Sequence, residues 1–295
     1  MSNNLDSEIL KDFNKIHNKR SVKLNFIKKF SISDLFVSKK TGCLIPGTSV
    51  TSEYNLSVWN KRYKNKDYSS RSPHFTGRHA YIISQIENCI NFKNLRVADL
   101  GCGNGGFVDL LNKLSNQKII YAFDESEYNY KVTKKYKKNK KIKFVRSAIE
   151  QINEKKFKNY FDLIVMTWTL SCCANPLIIL DKIKKIIKPN GVLVIAESSR
   201  ILVQPVYKLE YYFDTKSNID TFINYPWRFS YNSLNNLLML KNFKLIHSNN
   251  YKHNDNMVMI FESRKYLKKK YKFDNYKKII TFFKKWKKYS NFFKI

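Results

Sequence analysis

The run Val97-Ala98-Asp99-Leu100-Gly101-Cys102-Gly103-Asn104-Gly105-Gly106-Phe107 constrains this chain more than any other: an apolar stretch that breaks into glycines. Leu95 to Leu100 reads as a buried parallel strand and the glycines as its turn into a helix. A residue without Cβ takes positive φ freely and lets a ligand approach the backbone. Any tight strand-to-helix turn favours glycine, so the next acidic residue carries the added information. Ile119-Ile120-Tyr121-Ala122-Phe123 reads as a second buried strand, and Asp124 ends it, nineteen residues after Gly105. That spacing puts a carboxylate at the tip of the adjacent strand, where it can accept bonds from both hydroxyls of a ribose. Strands alternating with helices predict an α/β fold, a parallel sheet covered on both faces, with ligands outside the C-terminal strand ends.

These residues resemble the class I S-adenosylmethionine-dependent methyltransferases. The match is to Asp99-Leu100-Gly101-Cys102-Gly103-Asn104-Gly105 rather than to the G-x-G-x-x-G of dinucleotide enzymes. It continues in register: Ala122 to Ser126 is similar to the ribose-binding strand end and Phe144 to Glu150 to the adenine-contacting segment. Phe161 to Met166 is similar to the fourth strand, and Ile187 to Ile195 to the turn into the fifth. The resemblance spans residues 95–197. It implies a Rossmann-like, seven-stranded, mostly parallel sheet with helices on both faces and a closing antiparallel hairpin strand, and S-adenosyl-L-methionine as cofactor. It further implies that Gly101, Cys102 and Gly103 hold the methionine part, Asp124 and Glu125 the ribose, and Ser147, Ala148 and Ile149 the adenine. Thr167, at the end of the fourth strand, joins this cofactor set. Asp99 either reaches the cofactor's amino group through water or caps its own glycine loop. His74, Arg78 and His79 precede the first helix, which lies over the cofactor in this family, and Arg78 is a candidate partner for its carboxylate.

The chain departs from the family pattern in two places. Ser147 stands where Asp is common, leaving an acceptor without charge assistance. Ser171 and Cys172 stand where many relatives carry Glu-His, so a general base near the acceptor is missing at its usual position. In-line displacement from a sulfonium chiefly needs donor and acceptor to be positioned; a hydroxyl acceptor also needs its proton removed. The catalytic candidates are Glu197, just past the fifth strand, and His253, in the turn of the closing hairpin. Their alternatives are an ion pair of Glu197 with Arg200 and a solvated turn for His253. His247, mid-strand, reads as a core residue. The insertion 198–229 reads as a substrate lid, with Arg200, Tyr207, Tyr212, Trp227 and Arg228 as candidate substrate contacts, since rings beside arginines suit a flat or phosphorylated ligand. Packing of the lid itself is the alternative.

At 295 residues and 43% hydrophobic, the chain suffices for one sizeable α/β domain with added segments. Residues 1–75 read as a helical and irregular extension, with helical patterning near Ile9, Phe13 and Ile16 and again from Val22 to Phe30, and a strand or turn from Cys43 to Val50. Residues 76–263 read as the methyltransferase domain: a helix from His79 to Cys89, a strand from Phe243 to Tyr251 and another from Met257 to Phe261. Residues 264–295 form a basic aromatic tail. Five cysteines without C-x-x-C spacing predict neither disulfides nor a metal site. With a polar, acid-bearing N-terminus and no span of about 20 apolar residues, the expectation is a cytoplasmic protein.

The net charge is +32, which invites a nucleic-acid partner. Yet only nine of 55 basic residues are Arg, the residue preferred for bidentate phosphate recognition. The abundance of Lys, Asn, Ile, Tyr and Phe is what an AT-rich genome supplies unselected. The leading expectation is methyl transfer to a small-molecule acceptor, a sugar-linked or other biosynthetic intermediate. An RNA methyltransferase using the basic surface and a non-catalytic cofactor-fold binding protein stand as alternatives. In the tail, Tyr276, Ile279, Ile280, Phe283 and Trp286 fall at helical spacing among lysines. Such a stripe has two possible fates: peripheral contact with an anionic membrane, at the inner face, or packing on the catalytic domain. Oligomeric state is left open.

Overall fold

Residues whose side chains alternate between two apolar layers build the centre of the molecule. The computed structural model describes residues 2–15, 20–24, 35–47, 53, 56–57, 59–60, 73–133, 139–198, 226–250 and 256–290. Its main sheet comprises β4 (Arg96–Leu100), β5 (Ile119–Asp124), β6 (Ile142–Arg146), β7 (Phe161–Thr167), β8 (Ile187–Glu197), β9 (Phe243–Ser248) and β10 (Met257–Ser263). The strand order is β6-β5-β4-β7-β8-β10-β9. The first five run parallel, and β10 enters antiparallel between β8 and β9. This is the Rossmann-like sheet with its closing hairpin. β4 continues sideways to β5 on one flank and to β7 on the other, so the chain reverses direction there and leaves a crevice at the strand ends.

Both faces are covered, which is why the parallel strands read as unbroken apolar runs. On one face Val97, Ala122, Leu163, Val165 and Val194 pack with α2 (Pro73–Glu87) and α3 (Gly106–Leu114). On the other, Ala98, Leu100, Phe123, Ile164 and Met166 pack with α6 (Pro176–Ile186), while α4 (Glu127–Thr133) and α5 (Glu154–Phe157) join β5 to β6 and β6 to β7. The helix ends reflect local sequence. Asn175 caps α6 by accepting from the Leu177 amide, with Pro176 in the first turn, where its missing N–H costs nothing. Ser230 and Ser233 form a reciprocal capping box on α7 (Tyr231–Leu240).

The two flanking regions differ from expectation and join each other. The N-terminal extension holds α1 (Ser2–Phe13) and a three-stranded antiparallel sheet of β1 (Ser21–Lys23), β2 (Leu35–Ser38) and β3 (Leu44–Pro46). Val22, expected in a helix, lies in β1 paired with Val37; Ile16 and residues 25–34 lie outside the described residues. The tail is extended from 264 to 275 and becomes helical only in α8 (Tyr276–Ser290). Ile279 and Phe283 of α8 bury against Leu24, Leu35, Val37 and Leu44. For these two side chains the stripe is therefore covered, but by the small sheet of the N-terminal extension rather than by the catalytic domain; the side chain of Trp286 lies outside the described residues. Period two in the small sheet sends Leu35 and Leu44 to α8, and Cys43 and Ile45 to the main core. Asp274 fastens the strap between them: its carboxylate accepts from Ser230 and from Asn232 Nδ2 (2.7 Å), and its amide donates to Thr41 (3.0 Å). Among the described residues, no helix is long and apolar enough to cross a membrane. The helix expected from His79 starts earlier, at Pro73, so the domain edge placed at 76 falls inside it.

Candidate active site

The crevice is built by the loops that leave β4, β5, β6 and β7. Gly101 and Gly103 turn the chain with φ of 78° and 55°, a region closed to most side chains. They serve different ends. A Cβ on Gly101 would lie 2.5 Å from the Thr169 side chain, so this glycine allows the loop after β7 to close on the turn. A Cβ on Gly103 would meet nothing within 4 Å; its space opens into the crevice. The Gly103 amide donates to Asp124 Oδ2 at 2.9 Å, while Ser126 N (2.9 Å) and Asn129 Nδ2 (3.1 Å) donate to Oδ1. Asp124 thus stands at the expected tip and also ties down the turn, with one further lone pair left on Oδ2. Burial raises its carboxyl, against the three bonds, which lower it. Burial, then Asp124 and Glu150, lift the neighbouring Glu125 to about 7.

Asp99 is the site's unusual group. It is fully buried on the Val97 face, and neither oxygen has a hydrogen-bond partner among the described residues. It does not cap its own loop. Burial, with Asp124 beside it, pushes its carboxyl from 3.8 to about 8. Between those values the folded chain holds a proton that the unfolded chain releases, so stability falls as pH rises from about 4 through about 8. Asp99→Asn, which cannot ionise, should flatten that slope and raise the melting temperature most at about pH 8 and above. Melting curves of both proteins across this range check it; parallel slopes would place the buried charge elsewhere.

The other cofactor candidates have these surroundings. Cys102 is buried and its thiol is raised by burial, which leaves it inert. The Ser147 hydroxyl donates to the Ala148 carbonyl (2.8 Å), while its amide donates to the Asp124 carbonyl (3.1 Å) and so holds the β6 loop beside β5. Ile149 packs in the core at the start of a short 3-10 turn, with Ala148 half-buried ahead of it. The Thr167 carbonyl accepts from Thr169 Oγ1 at 3.1 Å. Arg78 reaches the crevice from α2, its guanidinium carbon 4.0 Å from the centroid of the Trp168 ring.

Three candidates for chemistry or substrate take structural roles instead. Glu197 is 1% exposed, and its oxygens accept from the Ser171 amide (3.0 Å) and hydroxyl (2.7 Å). It pins the loop after β7; Ser171 itself occupies the place of the family's missing Glu. Trp227 and Arg228 are 1% and 2% exposed. Trp227 packs 5.1 Å from the Phe13 ring and donates to the Ser171 and Ala174 carbonyls, and Arg228 bridges to Leu44. Both fasten the N-terminal extension to the domain. Arg200, Tyr207, Tyr212 and His253 lie outside the described residues, as does most of the insertion 198–229. His247 bonds Gln85 Oε1 at 2.9 Å and is half-buried on the edge strand β9 rather than in the core. Trp168 is a site residue that sequence reasoning misses. It comes directly after β7 with φ 53°, at a cost of order 1–3 kcal/mol for a non-glycine, and nothing in its local sequence signals that conformation. Among the described residues, no group of three or more His, Cys, Asp or Glu could hold a metal.

Residues 91–223 match the family described as a methyltransferase domain. O-methyltransferase 3 of Dictyostelium discoideum is 34% identical over 112 residues, 36% of this chain and 26% of the relative. The match thus spans about a quarter of that relative's length. A methyltransferase structure from Aquifex aeolicus, described as S-adenosylmethionine-dependent, aligns with TM-score 0.51 and 17% identity over 69% of this chain and 97% of its own. The chain solved in complex with the Haloferax volcanii Trm112 methyltransferase activator aligns with TM-score 0.53 and 14% identity over 73% and 100%. At these identities the two structures speak to the fold. Glycine turn, strand-tip carboxylate, sheet order and family match agree: residues 91–223 match a methyltransferase-domain family and lie in a chain with the Rossmann-like fold of S-adenosylmethionine-dependent methyltransferases.

Proposed function

We propose that this protein transfers the methyl group of S-adenosyl-L-methionine to a hydroxyl of a small-molecule acceptor, a sugar-linked or other biosynthetic intermediate. The observation that carries the reading is the nearness, at the end of β4, of a buried Asp99 with no partner among the described residues to the open face of Gly103. A ligand bearing a positive charge would supply the partner Asp99 lacks, and the Gly103 backbone leaves room for it. Asp124 and Glu125 would take the ribose hydroxyls at the β5 tip, and the Ser147 oxygen would accept from the adenine amino group. When bound, the cofactor supplies a methyl group already activated as a sulfonium. The chain's own task is then to hold the acceptor in line and exclude water. The name of the Dictyostelium relative favours oxygen as the acceptor atom.

The test is incubation of the purified protein with methyl-labelled cofactor and a cell extract, followed by size fractionation. Label in the nuclease-resistant, low-molecular-weight fraction is the expected result. Label confined to a nuclease-sensitive fraction would replace the small molecule with RNA, for which the charge of +32 is the argument. Cofactor binding with no transfer into any fraction would support a non-catalytic binding protein.

A further inference from the structure

Arg78 and Trp168 come from elements ninety residues apart, and the guanidinium lies over the ring beside the glycine turn. With the guanidinium carbon 4.0 Å from the ring centroid, the contact is a close cation–π pair. Trp168 does not reach this position through relaxed backbone: at φ 53° it occupies the left-handed region that bulky side chains rarely visit. Its amide is fixed there by a 2.7 Å bond to the Ala196 carbonyl of β8. Thr169, the next residue, closes on Gly101. His79 packs on the other part of the assembly, its ring 5.7 Å from Trp168 and 5.5 Å from Phe107. It adds no charge near neutrality, because burial, with Arg78 beside it, lowers its imidazole to about 4.

The sheet order places this pair on the β7 side of the glycine turn and the carboxylates of Asp124 and Glu125 on the β5 side. The two walls of the crevice therefore have opposite charge. The cofactor carries a single anionic group, the carboxylate at its amino-acid end. The acidic wall repels it, and the guanidinium wall complements it.

We propose that Trp168 is a positioning residue that holds the Arg78 guanidinium over the glycine turn to receive the carboxylate of the cofactor's amino-acid arm. This rests on the reading of the crevice as the cofactor site. The flat ring fixes the plane of the guanidinium, so that its donors face the turn before the ligand arrives and less freedom is lost on binding.

Calorimetry with two ligands tests it. S-adenosylhomocysteine carries the amino-acid arm, and 5′-methylthioadenosine keeps the adenosine and the sulfur but lacks the arm. Arg78→Ala and Trp168→Ala should each weaken S-adenosylhomocysteine by roughly tenfold or more, the scale of one charge-assisted bond, and leave methylthioadenosine within about twofold. The double variant should bind no more weakly than Arg78→Ala alone, since the ring acts through the guanidinium. Trp168→Phe, which keeps a flat face, should recover most of the loss. Equal weakening of both ligands by a folded Trp168→Ala, or no weakening of either, overturns the proposal. Should Trp168→Ala not fold, Arg78→Gln and Trp168→Phe decide it: arm-selective loss in the first with retention in the second supports it, and any other pattern overturns it. A wild-type protein that binds neither ligand refutes the cofactor reading itself, a result distinct from arm-independent losses in the variants.

Discussion

Asp124→Ala should lower the affinity for S-adenosylmethionine by about ten- to a hundredfold. A ribose hydroxyl donating to the lone pair left on Oδ2 forms a charge-assisted bond of about 1.5–3 kcal/mol, which spans about one to two decades. The variant also releases the Gly103 amide from its 2.9 Å bond and frees Asn129 and Ser126, so the glycine turn loses its anchor as well as the ligand its acceptor. Asp124→Asn separates the two effects: it keeps the side chain in place and removes the charge, and should fall between wild type and Ala. Gly103→Val should match Asp124→Ala by a different route, since the added side chain points into open crevice space at φ 55°. Wild-type affinity in both Asp124→Ala and Gly103→Val, measured by calorimetry, would move the cofactor elsewhere. Electrostatics supplies a secondary readout: the Asp124 charge helps raise the Asp99 carboxyl, so removing it should shift the pH range in which stability declines to lower pH.

Phe283→Ala should release α8 while leaving the main sheet intact. Phe283 is fully buried in a cluster made by residues of the small sheet and α8, and truncating a buried Phe costs about 3–5 kcal/mol. That cost falls on a satellite cluster rather than on the central core, so the expected outcome is local opening. Trypsin should cleave the variant rapidly at the exposed Lys277, Lys278, Lys284 and Lys285 and leave a resistant fragment that retains the methyltransferase domain. Cleavage no faster than in wild type would mean that the tail is held by the Asp274 strap alone. Because Ile279 and Phe283 are already engaged, the full-length protein should remain in the supernatant when spun with anionic vesicles at moderate salt. Co-sedimentation would revive the membrane reading of the tail.

The central sheet was legible in the sequence because parallel strands buried on both faces must be nearly all apolar, and because their turns need glycine or a strand-tip carboxylate. Both signals are local. The small sheet was illegible for the opposite reason. Its strands are three or four residues long, too short for a period to declare itself, and their apolar faces are completed by α8 near the other end of the chain. The same distance hid the roles of Trp227 and Arg228. An aromatic beside an arginine reads as a ligand contact until its partners, Phe13 and Leu44, are seen to come from the N-terminal extension far away in sequence. Glu197 stood at the right strand end for chemistry, but the hydroxyl and amide that occupy it belong to Ser171, twenty-six residues earlier. Trp168 was hidden by conformation, since nothing in Thr167-Trp168-Thr169 announces a left-handed tryptophan.

The joining of the two ends bears on how the protein is made. Leu35, Val37 and Leu44 emerge from a ribosome long before the residues that cover them, with about 230 residues between Leu44 and Asp274. At roughly 5–20 residues per second, that interval lasts on the order of 10–50 s. Throughout it the nascent chain carries an uncovered apolar sheet face next to a domain that is still folding. During synthesis this face is where a chaperone would engage the chain, and the arrival of α8 is the event that ends the need for it.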